Sequence, residues 1–154
     1  MRLTLVCVGR LKERHWRDAA AEYLKRLGPY ARVTVTEVSD RDVTADEAKG
    51  LAAEAADVLR AIPDGATVVA LDIDGRAYPS EAFAEWLSAQ GLAGRSHIVF
   101  VLGGAAGLHQ DVLARADERL SLGPMTLPHQ LARVVLLEQV YRAFRIARGE
   151  PYHR

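Results

Sequence analysis

Apolar positions along the chain fall into short continuous runs separated by stretches of helical period. Arg2–Val8 holds Leu3, Leu5, Val6, Cys7 and Val8, the pattern of a strand covered on both faces. From Lys12 to Leu27 the period changes. Trp16, Ala19, Ala20, Tyr23, Leu24 and Leu27 recur at i, i+3, i+4, i+7, i+8 and i+11 and predict an amphipathic helix stopped by Gly28-Pro29. Arg32–Val38 alternates with β-branched residues and predicts a second strand. After the polar loop Ser39–Asp42, Thr44 and Glu47 have capping-box spacing and open a helix with Leu51, Ala55, Val58, Leu59 and Ile62 on one side. Pro63-Asp64-Gly65 ends it. Thr67–Ile73 is a third strand closed by Asp74-Gly75, and Pro79-Ser80 starts a third helix that Gln90-Gly91 ends. Ile98–Leu102 is a fourth strand, followed at once by Gly103-Gly104-Ala105-Ala106-Gly107, a short helix near His109–Ala116 and a brief strand at Leu120–Leu122.

The last helix starts after Pro128 and does not fit the simple amphipathic scheme. Leu131, Val134, Val135, Leu136, Leu137, Val140, Tyr141 and Phe144 cover most of its circumference, which predicts burial on nearly all sides. Yet Arg133, Glu138, Arg142 and Arg145 sit among them, and charges are rarely buried without partners. Glu138, Arg142 and Arg145 share a face at i, i+4 and i+7. This stripe is expected to line a cleft or a symmetric interface. The tail Pro151–Arg154 lies past Gly149, where terminal residues are usually frayed.

Strand–helix alternation with apolar strands predicts an α/β domain built on a mainly parallel sheet with helices on both sides. In such sheets ligands bind beyond the carboxyl ends of the strands, so the informative loops follow Ile73, Leu102 and Leu122. The Gly103–Gly107 loop is not a P-loop or a dinucleotide fingerprint. It reads as a tight strand-to-helix turn or as a place where backbone approaches a ligand. Leu122-Gly123-Pro124-Met125-Thr126-Leu127-Pro128 sets backbone groups beside apolar side chains, which suits a purine with a thioether-bearing tail or a plain helix start at Pro128.

Composition narrows the class. The 154 residues are 49% hydrophobic and 26% charged, ordinary for a globular domain. The one cysteine, Cys7, lies in an apolar strand and excludes an internal disulfide and a cysteine metal cluster. No run is long enough for a membrane span or a signal peptide, so a soluble cytoplasmic protein is expected. Net charge is zero but unevenly spread. Residues 1–36 carry eight basic and three acidic groups (+5), residues 37–90 four and twelve (−8), residues 91–154 eight and five (+3). If the two basic ends meet, they could track phosphates despite the neutral total. His15, His97 and His109 read as structural or exposed, and His129 as a hydrogen bonder at the helix start.

Four stretches carry a resemblance: LVCVGRLKERHWRDAAAEYLKRLGPY near the start, LDIDG at 71–75, VLGGAAGL at 101–108, and SLGPMTLPHQLARVVLLEQVYRAFRIARGEPYHR from Ser121 to Arg154. Together they span essentially the whole chain, and the chain resembles the small bacterial SPOUT-class methyltransferases that modify N3 of pseudouridine in 23S ribosomal RNA. The resemblance implies a single domain over 1–154 with a deep C-terminal trefoil knot at about 98–154, an exception to the rule against threaded chains. It implies S-adenosyl-L-methionine as cofactor, held by Leu71, Gly103 and Leu122, Gly123, Pro124, Met125, Thr126 and Leu127. It also implies a homodimer, and ribosomal RNA as substrate, in the large subunit or whole ribosome. Some relatives have an acid at a central position of the glycine loop; Ala105 and Ala106 stand here, which removes those side chains from the chemistry.

The reaction must take a proton from a nitrogen flanked by two carbonyls. Imidazole suits that task near neutral pH, which points to His153 as base. Arg154 and Arg142 are expected on phosphate or base oxygen, Glu138 as the orienter of Arg142, and Tyr141 or Tyr152 as a stacking surface. Arg10, Lys12, Arg14 and Arg17, with Arg142, Arg145 and Arg154, form the expected basic contact. Two rival readings are a related methyltransferase acting on transfer RNA and a non-catalytic nucleotide-binding module.

Overall fold

The computed structural model describes residues 1–41 and 45–154. The chain runs β1 (Arg2–Val8), α1 (Arg14–Leu27), β2 (Arg32–Val38), α2 (Glu47–Ala61), β3 (Thr67–Ala77), α3 (Ser80–Leu92), β4 (His97–Leu102), α4 (Gln110–Arg115), β5 (Glu118–Ser121) and α5 (His129–Ala147). The five strands form one sheet in the order β2-β1-β4-β3-β5, and every pairing is parallel. Parallel neighbours need long crossovers, and the helices supply them.

The continuous apolar runs have a direct explanation. Alternate side chains of each central strand enter two separate cores. Leu3, Leu5, Cys7, Ile98, Phe100 and Leu102 face one core, shared with Phe83, Leu87, Leu136, Leu137 and Val140. Val6, Val8, Val99 and Val101 face the other, against Ala55, Val58 and Val112. The first is the larger, and α5 packs there against both α1 and α3.

Beyond shifts of one or two residues at the starts of α1 and β4, three boundaries differ from the sequence reading. Asp46 caps α2, its carboxylate accepting from the Lys49 amide at 3.1 Å; Thr44 lies outside the described residues. β5 begins two residues early, because Glu118 pairs with Val69, and Leu122 has already left the ladder. β3 does not stop at Asp74-Gly75. The register jumps from Leu71 to Arg76, and both residues lie opposite Leu120, so residues 72–75 bulge out of the sheet. Asp72 Oδ1 accepts from the Asp74 amide at 3.1 Å and folds that bulge.

The circumference of α5 is also less covered than its pattern predicts. Leu136, Leu137, Val140 and Tyr141 are buried, whereas Leu131, Val134, Val135 and Phe144 are only partly covered. Arg133 resolves its own conflict. Its side chain is 5% exposed, and it pairs with Glu37 at 2.8 Å and donates to the Gly9 carbonyl at 3.1 Å. It therefore ties α5 to the carboxyl ends of β1 and β2. Cys7 is buried beside it, and burial pushes its thiol up to about 11, with Arg133 opposing. Among the described residues no helix is long and apolar enough to cross a membrane, and no group of three or more His, Cys, Asp or Glu could hold a metal.

Candidate functional site

The three loops singled out from the sheet argument converge. Leu71 with the bulge after it, Gly103, Gly104 and Gly107 after β4, and Leu122, Gly123, Met125, Thr126 and Leu127 after β5 line one pocket, closed at the back by His129 and Ala132 of α5. Pro124 belongs to the same loop but is exposed and does not form part of the wall. The cavity is about 180 Å³ and mostly apolar, with an exposed rim at Ile73 and Met125. Backbone geometry shapes it. A Cβ on Gly103 would stand 2.5 Å from the Gly107 carbonyl oxygen, so the loop can fold back on itself only with glycine there. Gly123 has φ +121°, a conformation L side chains rarely adopt, and the Ser121 hydroxyl both donates to its carbonyl and accepts from its amide at 3.1 Å. Ala105 and Ala106 stay out of the wall. Asp72, which the sequence reading passed over, is the one carboxylate in the lining; it lies 3.6 Å from Arg119.

A second cluster forms along the other half of α5. Arg142 donates to Glu138 Oε1 at 3.0 and 2.6 Å, and Tyr152 Oη donates to the same oxygen at 3.0 Å. The Arg142 guanidinium lies 4.7 Å from the Tyr152 ring centre and contacts His153 Nδ1 at 3.1 Å. Arginine only donates, so Nδ1 accepts and the ring proton sits on Nε2, 2.7 Å from Glu81 Oε1. The tail is therefore latched rather than frayed. Glu81 is held below the usual carboxylate range by the backbone amide at its helix start and then by His153. Tyr152 is pushed up to about 12, chiefly by burial and then by its bond to Glu138. Arg145 borders this cluster, its guanidinium 5.7 Å from the Tyr152 ring centre. It donates to Tyr141 Oη at 2.5 Å, and its Nε lies 2.7 Å from the Glu150 carboxylate without hydrogen-bond alignment, a coulombic contact. Arg154 is exposed, and among the described residues no hydrogen bond or ion pair holds it. Within this protomer the tail lies against Glu138 and Arg142, and the Glu138–Arg142–Arg145 stripe does not line the pocket at the strand ends.

The family model described as "Predicted SPOUT methyltransferase" matches residues 1–153. The chain belongs to the SPOUT methyltransferase family. It is 48% identical to Ribosomal RNA large subunit methyltransferase H of Carboxydothermus hydrogenoformans, with all of both chains covered. Among solved structures it is similar in fold to a probable methylase family protein from Haemophilus influenzae (TM-score 0.54, 16% identity, 99% of this chain and 70% of that one). It is also similar in fold to a Legionella pneumophila protein solved with the bound cofactor SAM (TM-score 0.50, 14% identity, 96% and 66%).

Within this SPOUT chain the two clusters stand apart. Ala132 lines the pocket and Arg142 holds the tail, about 15 Å along α5 at a rise of ~1.5 Å per residue. Among the described residues no tail side chain lines the pocket. Glu81, the tail's anchor on α3, carried no signal in the sequence, because its partner lies 72 residues away.

Proposed function

We propose that this chain is an S-adenosyl-L-methionine-dependent methyltransferase acting on N3 of a pseudouridine in 23S ribosomal RNA. The observation that carries the reading is the meeting of Leu71, Gly103 and Leu122–Leu127 in one apolar pocket at the strand ends, in a chain 48% identical end to end to a relative named for large-subunit rRNA methylation. The residues present fit the cofactor. The walls are apolar, as a purine and a thioether-like chain need, the cradle at Gly103 admits no Cβ, and the bulge offers one carboxylate, Asp72, to a cationic or hydroxyl-bearing group. A pocket of about 180 Å³ takes part of such a molecule and leaves the rest over the rim at Ile73 and Met125. When bound, the cofactor supplies an electrophilic methyl group.

The chain's own residues supply the rest. Glu81 holds the His153 ring with its proton on Nε2 and leaves Nδ1 as the accepting nitrogen. Arg142 covers that nitrogen in the free protein. On substrate binding Arg142 turns to a carbonyl oxygen of the base, stabilises charge there, and frees His153 Nδ1 to take the N3 proton. Glu138 orients Arg142, Tyr152 presents its ring beside the guanidinium, and exposed Arg154 is available to phosphate. A pocket and a tail about 15 Å apart on one helix cannot serve one reaction within a protomer. A homodimer in which the partner's tail reaches the pocket solves this and covers the half-exposed Leu131, Val134 and Val135. The reading further comprises one domain over 1–154 with the family's knot at about 98–154, a cytoplasmic location, and the assembled large subunit or ribosome as the form of substrate.

Deletion of Pro151–Arg154 tests the assignment of roles. Cofactor binding by calorimetry is expected to persist while methyl transfer is lost; full activity in the truncated protein sinks the tail-based mechanism.

A further inference from the structure

Three cations on the N-terminal segment share a cleft. Arg10, Lys12 and Arg17 are exposed, and among the described residues none lies within ion-pair distance of a carboxylate. They line a cavity of about 580 Å³ floored by Ala20, Leu24, Val35 and Leu137. The one acid in its lining, Glu37, is already tied to Arg133, so the cavity carries three uncompensated positive charges. A second cavity of about 670 Å³ shares Arg10, Lys12 and Glu37 with the first and continues to His129 and Gln130; Glu13 and Asp40 line it too. His129 in turn lines the cofactor pocket. Three adjoining cavities with shared walls therefore run from α1, across the carboxyl ends of β1 and β2, to the cofactor site, a trough with its positive charge concentrated at the α1 end.

We propose that this trough is the channel for the RNA backbone. Phosphates flanking the target nucleotide lie on Arg10, Lys12 and Arg17, and the strand turns at His129 so that the target base faces the cofactor pocket. The proposal rests on the reading of the chain as an rRNA methyltransferase and adds where the RNA runs. It explains how a chain of zero net charge grips a polyanion: the grip is local. It also divides the basic residues expected to contact RNA. Arg142 and Arg145 are engaged with Glu138 and with Tyr141 and Glu150, whereas among the described residues Arg10, Lys12 and Arg17 form no ion pair. Three uncompensated cations at its α1 end make the trough complementary to a polyanion rather than to an equally charged copy of itself.

The test uses the full chain with Lys12→Gln, Arg17→Gln and the triple Arg10→Gln/Lys12→Gln/Arg17→Gln variant, and ribosomes lacking the modification. Each single change is expected to raise KM for ribosomes several-fold with kcat nearly unchanged. Each should also lower the slope of log affinity against log salt by about 0.7–0.9. Cofactor affinity, melting temperature and sedimentation should match the parent. An unchanged salt slope and KM in the triple variant overturns the channel. A changed association state with unchanged ribosome affinity also overturns it and assigns the cleft to a second copy. Failure of the unsubstituted protein to methylate any ribosomal RNA instead overturns the functional reading.

Discussion

Arg133 shows how a single charged residue is accommodated in an apolar helix. Its partners sit on two strands, Glu37 at the end of β2 and the carbonyl of Gly9 just after β1, so one side chain fixes the helix to the strand ends that frame the site. Arg133→Ala leaves the Gly9 carbonyl without its donor, while Glu37, 34% exposed, regains water. The expected loss is about 1–3 kcal/mol in urea unfolding, below the cost of stranding a fully buried charge. Cys7 lies in the same place with its thiol near 11, so it is uncharged at neutral pH. It should resist thiol reagents at pH 8 in the folded protein and react at the rate of a free thiol in denaturant; fast labelling in native buffer contradicts its burial. Tyr152 makes a pH prediction. Its folded value, about 12, is raised above the ordinary 10. Its contribution to holding the tail is thus fully present below about pH 10 and is lost as pH rises through 12. Tail release followed by near-ultraviolet spectroscopy should begin above pH 10 and not below it; Tyr152→Phe should weaken the tail's hold at every pH and abolish that alkaline step. For His153→Gln, the acidic limb of the pH–rate profile should disappear, and an unchanged profile removes His153 as the base.

At the scale of elements, the glycine loop after β4 is the most sensitive part. Gly103→Ala would place a methyl carbon 2.5 Å from the backbone at Gly107, and backbone cannot yield as a flexible side chain does. We expect cofactor binding to fall below detection in calorimetry, with a lowered melting temperature; wild-type affinity in this variant contradicts the cradle. The regular elements were legible in the sequence because each carries a local period. β1 and β2 have the expected bounds, and the continuous apolar runs of β1 and β4 reported burial on both faces. The bulge at 72–75 was not legible, since Asp74-Gly75 signals a turn whether or not the strand resumes after it. The latching of the tail was not legible for a related reason. Its anchors, Glu81 and Glu138, are set by tertiary packing, which no local pattern encodes. In the pocket, the loops are legible from their place beyond the strand ends, whereas Asp72 is hidden inside an apparent strand end.

For the whole molecule, the doubly covered parallel sheet sets the pocket at the carboxyl ends of β3, β4 and β5, and α5 carries the chain from that pocket to the latched tail. One protomer thus holds the pocket and the latched tail apart from each other, and on the proposed reading a second copy covers the partly covered apolar side of α5. Sedimentation should give a dimer at micromolar concentration, and Val134→Glu should shift it to monomer with methyl transfer lost and cofactor binding retained; an active monomer contradicts the shared site. The central claim concerns the substrate, and it is tested most directly by methyl transfer from labelled S-adenosyl-L-methionine to three acceptors in parallel: intact ribosomes lacking the modification, naked 23S rRNA and free tRNA. The account predicts label on ribosomes, mapped by mass spectrometry to N3 of a pseudouridine in 23S rRNA, with little on tRNA. Label confined to tRNA, or cofactor binding without transfer to any acceptor, contradicts it.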